Sequence, residues 1–169
     1  MQLKNISKQR YSKHYRLIFW GVIAIMMSVA VASSSLLIQA FGEPSGSNFW
    51  LNVAGVVIAA IVISSLFRSY KTHPFMYEVM YVWDLKQTLN KIYRKQRKIT
   101  PHLENGEINA LTVMHFYYQG SKQLYELDNN TITMEELNKK IQELEQLLDK
   151  HQQSVSLDDF KVQLLQEFK

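Results

Sequence analysis

Two long stretches without a single charged residue constrain this chain more than anything else in it. The first runs for 25 residues from Leu17 to Phe41, and the second runs from Phe49 to Phe67 after a gap of seven. Neither contains Lys, Arg, Asp, Glu or His. At about 1.5 Å of rise per residue, a helix over either stretch crosses or nearly crosses a hydrocarbon core about 30 Å thick. A helix also satisfies its own backbone polar groups, which lipid cannot do for it. The chain is therefore expected to have a basic cytoplasmic leader at 1–16, a transmembrane helical hairpin at 17–67 (spans 17–41 and 49–67), and a small cytoplasmic helical domain at 68–169. No stretch alternates convincingly as a strand, so the expected fold class is all-α.

Charge sets the orientation. The net charge is +4, but it is unevenly placed. The leader carries Lys4, Lys8, Arg10, Lys13 and Arg16 with no acid, and the connecting loop holds only Glu43. Residues 68–98 carry eight bases against Glu78 and Asp84, whereas residues 99–169 carry six bases against twelve acids. Basic flanks around a loop without bases put both chain ends in the cytoplasm and Gly42–Asn48 outside. Ala30-Val31-Ala32 before Ser33 imitates a signal-peptide cleavage site, but the apolar run continues to Phe41, so an uncleaved anchor is expected.

The turn formers of 42–48 should end the first helix, and Trp20, Phe49 and Trp50 suit the interfacial aromatic belt. Ala24, Ser28 and Ala32 in the first span, with Gly55 and Ala59 in the second, form small-residue rows that let backbones approach. Packing of the two spans together is the favoured use of these rows, and homodimerisation is the alternative. Gln39 and Asn52 are the only strongly polar side chains in the runs, and no ionisable group lies at mid-depth. That argues against an ion or solute path.

Beyond the membrane, Pro74 suits the first position of a helix expected to run to about Ile99, with Thr100-Pro101 closing it. At about 100° per residue, Lys86, Lys91, Arg94, Lys95, Arg97 and Lys98 fall on one half of that helix. Val82, Leu85, Leu89, Ile92 and Ile99 fall on the other. A basic half-cylinder just past a span suggests attraction to anionic lipid head groups. Nucleic-acid binding is the weaker competing use, and a solvated face or pairing with the acids of 126–145 needs no ligand at all.

A second helix is expected from about 107 to 127, with Gly120 either admitting a neighbour or splitting it. Tyr117-Tyr118 could stack on bases, but paired aromatics on so apolar a helix are more often core. After the turn at Asp128-Asn129-Asn130, Thr133-Met134-Glu135-Glu136 reads as a capping box. The helix to Lys150 carries Met134, Leu137, Ile141, Leu144 and Leu148 as a stripe, expected to pack on the preceding helix. Ser156-Leu157-Asp158-Asp159 reads as a cap for a final short helix facing inward through Leu157, Phe160, Leu164 and Phe168.

Little chemistry is indicated. There is no Cys, which excludes disulfides and thiolate sites. His14, His73, His102, His115 and His151 are scattered without a metal-site spacing, and His115 is expected to be a partly buried, hydrogen-bonded residue. Phosphate-loop, nucleophile-elbow and zinc-protease motifs are missing. No catalytic residue, metal or cofactor is expected, and no enzyme.

Three stretches carry a resemblance: Gly46-Ser47-Asn48-Phe49-Trp50-Leu51-Asn52, HPFMYEVMYVWDLKQTLNKIYRKQRKI at 73–99, and HFYYQGSKQLYELDNNTIT at 115–133. They resemble an uncharacterised bacterial inner-membrane family, domain of unknown function 3087, from the leader to about Lys150. The resemblance implies a Gram-negative inner-membrane setting and transfers no functional residue. The resulting expectation is a membrane-anchored helical interaction module, a scaffold or adaptor. Its partners would be the bilayer and another copy or an unidentified membrane protein. Binding of anionic lipid or nucleic acid through 86–98 is the alternative.

Overall fold

The structure is a computed structural model that describes residues 1–43, 46–130 and 132–168. Five α-helices follow one another: α1 (Lys8–Phe41), α2 (Phe49–Tyr70), α3 (Tyr77–Glu104), α4 (Ile108–Leu127) and α5 (Met134–Lys150). Three 3-10 turns punctuate them, at Pro74–Met76, Leu157–Asp159 and Val162–Gln166. No strand occurs among the described residues. The packing forms two compact units, Gln9–Met80 and Met1–Lys8 with Tyr81–Lys169. Within the connection expected to turn at 42–48, Pro44 and Ser45 lie outside the described residues.

In the first unit, α1 and α2 are both long and apolar enough to cross a membrane. Their outer faces are not covered by protein: Leu36 is 66 % exposed, Trp50 76 % and Ile61 60 %. The two helices meet where Gly55 faces Ala30 and Ser34. A Cβ built on Gly55 would lie 2.8 Å from the Ser34 nitrogen and 2.9 Å from the Ala30 oxygen, so only glycine permits this approach. Ala59, one turn further, is wholly buried. The second-span pair thus packs as expected, but the first-span row does not. Ala24, Ser28 and Ala32 are exposed, because the contacting row of α1 is the one through Ala30 and Ser34.

The link out of the hairpin is capped by His73, whose Nδ1 accepts from the Phe75 amide at 3.2 Å, with Pro74 at the first position of the turn. The first unit also buries Glu78, which accepts from Arg10 Nε at 3.2 Å and pairs with His14 Nδ1 at 3.1 Å. His14 packs against the Phe75 ring, with centroids 4.3 Å apart.

The second unit is built on α4. Ala110, Leu111, Val113 and Phe116 are wholly buried, and α4 packs against α5 and against both C-terminal 3-10 turns. Leu137 and Leu144 of α5 are buried, while Ile141 is only half-buried. The Phe160 ring lies on Phe116 with centroids 3.9 Å apart and planes 13° from parallel. Gly120 does not split α4; it lies against Leu85 and Leu89 of α3, whose methyls would stand 3.1–3.6 Å from a Cβ there.

Three expectations about helix ends are corrected. Pro101 does not close α3, which continues to Glu104. A proline forfeits one hydrogen bond near a helix end without preventing a last turn, and Gly106 at φ +73° makes the actual stop. There the Glu107 amide reaches the His102 carbonyl at 3.0 Å and the Gly106 amide reaches Leu103 at 3.1 Å, a Schellman pattern. Thr133 makes no side-chain cap, because its backbone (φ −93°, ψ −1°) is not the extended one a capping hydroxyl needs. Ser156, at φ −107° and ψ 150°, has that backbone and completes a capping box with Asp159. The helix it opens, however, is a 3-10 turn, and the final segment continues as a second 3-10 turn rather than an α-helix.

Candidate anionic-surface face of the third helix

The two-faced pattern of α3 is realised in full on its apolar side. Val82, Leu85, Leu89, Ile92 and Ile99 are all buried, three of them completely. Burying these five side chains fixes the rotation of α3, and the basic half must then point away from the core.

The six bases do not share one fate. Lys86 pairs with Asp128 at 2.9 Å, both side chains substantially exposed, an arrangement worth roughly 0–1 kcal/mol. Lys95 sits at the border of the basic arc, nearest in angle to Ile99. It turns inward to donate to the carbonyls of Leu165 at 2.6 Å and Phe168 at 2.9 Å. It therefore clamps the C-terminal turn rather than facing a partner. Lys91, Arg94, Arg97 and Lys98 are exposed and form no ion pair among the described residues. Of the expected internal pairing with the acids of 126–145, the contact of Lys86 with Asp128 is formed. Glu136 in that stretch is paired with Lys140 at 2.7 Å. That contact holds its carboxyl below, and the Lys140 ammonium above, their ordinary values.

Trp83 stands on the same arc, between Lys86 and Arg94 by helical angle, and is 59 % exposed. A tryptophan amid lysines and arginines gives the face an amphipathic body as well as charge.

Other features of the second unit carry little sequence signal. Residues 1–8 are bound to it: the Lys4 amide donates to the Tyr81 hydroxyl at 2.8 Å, Tyr81 donates to Gln123 Oε1 at 2.7 Å, and Gln123 Nε2 returns to the Lys4 carbonyl at 2.6 Å. The only hint was that Tyr81 and Gln123 are polar-tipped residues on otherwise apolar arcs. Tyr117 and Tyr118 are half-buried and buried respectively. Burial raises both phenols above their ordinary pKa, so they are neutral donors near neutral pH. They border a cavity of about 140 Å³ between α3, α4 and α5.

His115 is partly buried, but the expected hydrogen bond is missing at its Nδ1, which is buried without a partner among the described residues. No group of three His, Asp or Glu among the described residues is placed to hold a metal ion.

Residues 1–165 match the family described as protein of unknown function (DUF3087), and the chain belongs to that family. The match extends beyond Lys150 to include the C-terminal turns docked on α4. No curated protein and no solved structure matches the chain.

Proposed function

We propose that this DUF3087 protein is a membrane-anchored helical module that lays the basic face of α3 on anionic phospholipid head groups. In this reading the bilayer is a bacterial inner membrane, and both chain ends lie on its cytoplasmic side. The observation that carries it is the combination on one helix of a buried apolar arc with four exposed bases, which form no ion pair among the described residues, around an exposed Trp83. At roughly 1 kcal/mol per base near an anionic surface, four bases supply about 4 kcal/mol. Trp83 suits the head-group layer, where an amphipathic ring is at home. Docking of residues 1–8 on the unit formed by 81–169 supports the orientation. A segment before the first span and the region after the second can pack together only on the same side of the bilayer.

The chain has no native cysteine, so a spin label on Asn90→Cys, an exposed position inside the basic arc, reports the depth of this face. In nanodiscs containing phosphatidylglycerol the label should be shielded from a water-soluble relaxation agent relative to phosphatidylcholine discs. The shielding should weaken as salt rises, since the screening length falls to about 8 Å at physiological ionic strength. Replacing Lys91, Arg94, Arg97 and Lys98 by Gln should remove the difference. Equal accessibility in both lipids would refute the reading and leave a scaffold role, mediated by another surface, in its place.

A further inference from the structure

The two helices of the hairpin are not equally close along their length. They approach tightly where Gly55 meets Ala30 and Ser34, but a Cβ built on Gly21 would meet nothing within 4 Å among the described residues. There an open groove of about 370 Å³ separates Ile18, Val22 and Ile25 of α1 from Ile63, Leu66 and Phe67 of α2. Gly21 lies in its α1 wall, and Tyr70 with Met76, from the turn after the hairpin, lines its other end. Leu17 to Ile25 covers about 12 Å of helix rise, within the ~15 Å of one leaflet's hydrocarbon. In the orientation proposed above, the groove therefore lies in the inner leaflet and opens sideways into it.

Shape and charge narrow the occupant. The lining is hydrocarbon apart from the Met76 sulfur and the Tyr70 phenol, so water would find too few polar partners to fill it. A second transmembrane helix approaches through small residues on both surfaces, and here Gly21 stands alone among branched and aromatic side chains. A flexible acyl chain needs no such approach, and the volume falls in the ~300–1,000 Å³ range of small-ligand sites. At the cytoplasmic level of the hairpin, Lys13, Arg16, Arg68 and Lys71 are exposed and form no ion pair among the described residues. The only acid in 8–16 and 68–80 is Glu78, which is buried against Arg10 and His14. That level is positive and complements an anionic head group. Tyr70, three residues past the end of the uncharged run, carries a hydroxyl at the depth of phosphate and ester oxygens.

We propose that the inner half of the hairpin holds one anionic phospholipid, with an acyl chain in the groove against Gly21 and the head group among the bases at its cytoplasmic end. The site rests on the membrane-anchored reading but not on the α3 face, and either lipid contact can fail without the other.

The test is native mass spectrometry of the full-length chain released from mild detergent, after delipidation and titration with phosphatidylglycerol or phosphatidylcholine. It uses the chain in which Lys91, Arg94, Arg97 and Lys98 are Gln, so that α3 contributes no attraction of its own. One phosphatidylglycerol per chain should be retained, in preference to phosphatidylcholine. Gly21→Leu places a side chain in the open groove, where no neighbour obstructs it, and should lower retention by about tenfold or more while the helices stay intact. Ala24→Leu, exposed on the same helix outside the groove, should retain lipid like the parent. Arg16→Gln with Lys71→Gln should reduce the preference for phosphatidylglycerol several-fold. The proposal is overturned if no lipid is retained at one per chain, or if phosphatidylcholine is held as well as phosphatidylglycerol. It is equally overturned if Gly21→Leu retains lipid like the parent, if Ala24→Leu loses it to the same extent, or if the Arg16 and Lys71 changes leave the preference intact. A lipid-free dimer that Gly21→Leu dissociates would show that a second copy occupies the groove, and would also overturn it. Failure of the membrane anchoring itself would appear separately, as loss of the sidedness of cysteine labelling in sealed membranes.

Discussion

Phe160→Ala isolates the docking of the C-terminal segment on α4. The Phe160 side chain is 2 % exposed and lies flat on Phe116, which is fully buried, at 3.9 Å between centroids. Truncating a buried Phe to Ala typically costs about 3–5 kcal/mol through lost transfer energy and the cavity left behind. With centroids only 3.9 Å apart the near-parallel rings overlap face to face instead of being offset, which is not the preferred aromatic geometry, so the ring pair itself adds about 0.5 kcal/mol at most. The remaining anchors, Leu165, Phe168 and the Lys95 clamp, stay in place. Because the segment docks on α4 as two short 3-10 turns outside the α-helices, the loss should appear as local opening rather than as melting of the whole unit. A loss of about 3–4 kcal/mol corresponds to roughly 10²–10³-fold more opening. Hydrogen-exchange mass spectrometry of the full chain should show amides of 157–168 exchanging faster by about that factor. Peptides covering Ala110–Phe116 of α4 should stay protected, and Phe160→Leu should fall between native and Ala. Unchanged exchange over 157–168 would show that Phe160 does not hold the segment. Simultaneous loss of protection in α4 and α5 would show that the segment is part of one cooperative core, and the local-docking argument would be wrong.

Lys95→Met should also loosen 157–168, since two carbonyls lose a charged donor; about 1–3 kcal/mol is expected, seen by exchange at Leu165 to Phe168. In the hairpin, cysteines at Ser34 and Asn52, whose native contact is a 3.4 Å hydroxyl-to-carbonyl bond, should cross-link readily. Adding Gly55→Leu should abolish the cross-link, whereas Val56→Leu on the exposed side should not. His115 is held below its ordinary pKa of 6.5, chiefly because burial penalises the imidazolium, with Glu145 partly offsetting this. The unfolded chain then takes up a proton near pH 6.5 that the folded one refuses, so stability is lost as pH falls from 6.5 towards the lower folded value and levels off beneath it. His115→Gln should flatten that decline in urea midpoints measured between pH 7.5 and 5, and an identical decline in both proteins would refute the assignment.

The sequence was most legible where one physical requirement dominated. Two uncharged runs give two long apolar helices, and the apolar arc Val82 to Ile99 is buried residue for residue. The pairing of α4 with α5 followed from a short turn between two striped helices. The readings that failed turned on which of several equivalent choices the tertiary structure makes. Ala24, Ser28 and Ala32 form as good a small-residue row as Ala30 and Ser34, and nothing local to α1 distinguishes the row that meets Gly55. Thr133 and Ser156 both open a capping-box pattern, but only the backbone at Ser156 is extended enough to use it.

Where the bases of α3 lie was legible in the sequence, but what each of them touches was not. The half-cylinder of bases exists, yet Lys95 at its edge is drawn to the carbonyls of a segment 70 residues away in sequence. Such a contact has no local signature. The same holds for the Lys4–Tyr81–Gln123 ring of hydrogen bonds and for the cleft lined by Tyr93, Tyr117 and Tyr125. In the linear chain Tyr117-Tyr118 resembles core; Tyr118 is buried, while Tyr117 is only half-buried and borders the cleft.

The account rests on both chain ends sharing one side of the bilayer, so that residues 1–8 can dock on the distal unit and α3 can reach the surface. Single cysteines in the otherwise cysteine-free chain test this directly, at Asn5, Ser47 and Gln153, each of which is exposed. A membrane-impermeant maleimide applied from the non-cytoplasmic side should modify Ser47→Cys alone, with Asn5→Cys and Gln153→Cys reacting only after the membrane is opened. Modification of either Asn5→Cys or Gln153→Cys in the sealed membrane, with the other protected, would place the two ends on opposite sides and contradict the account.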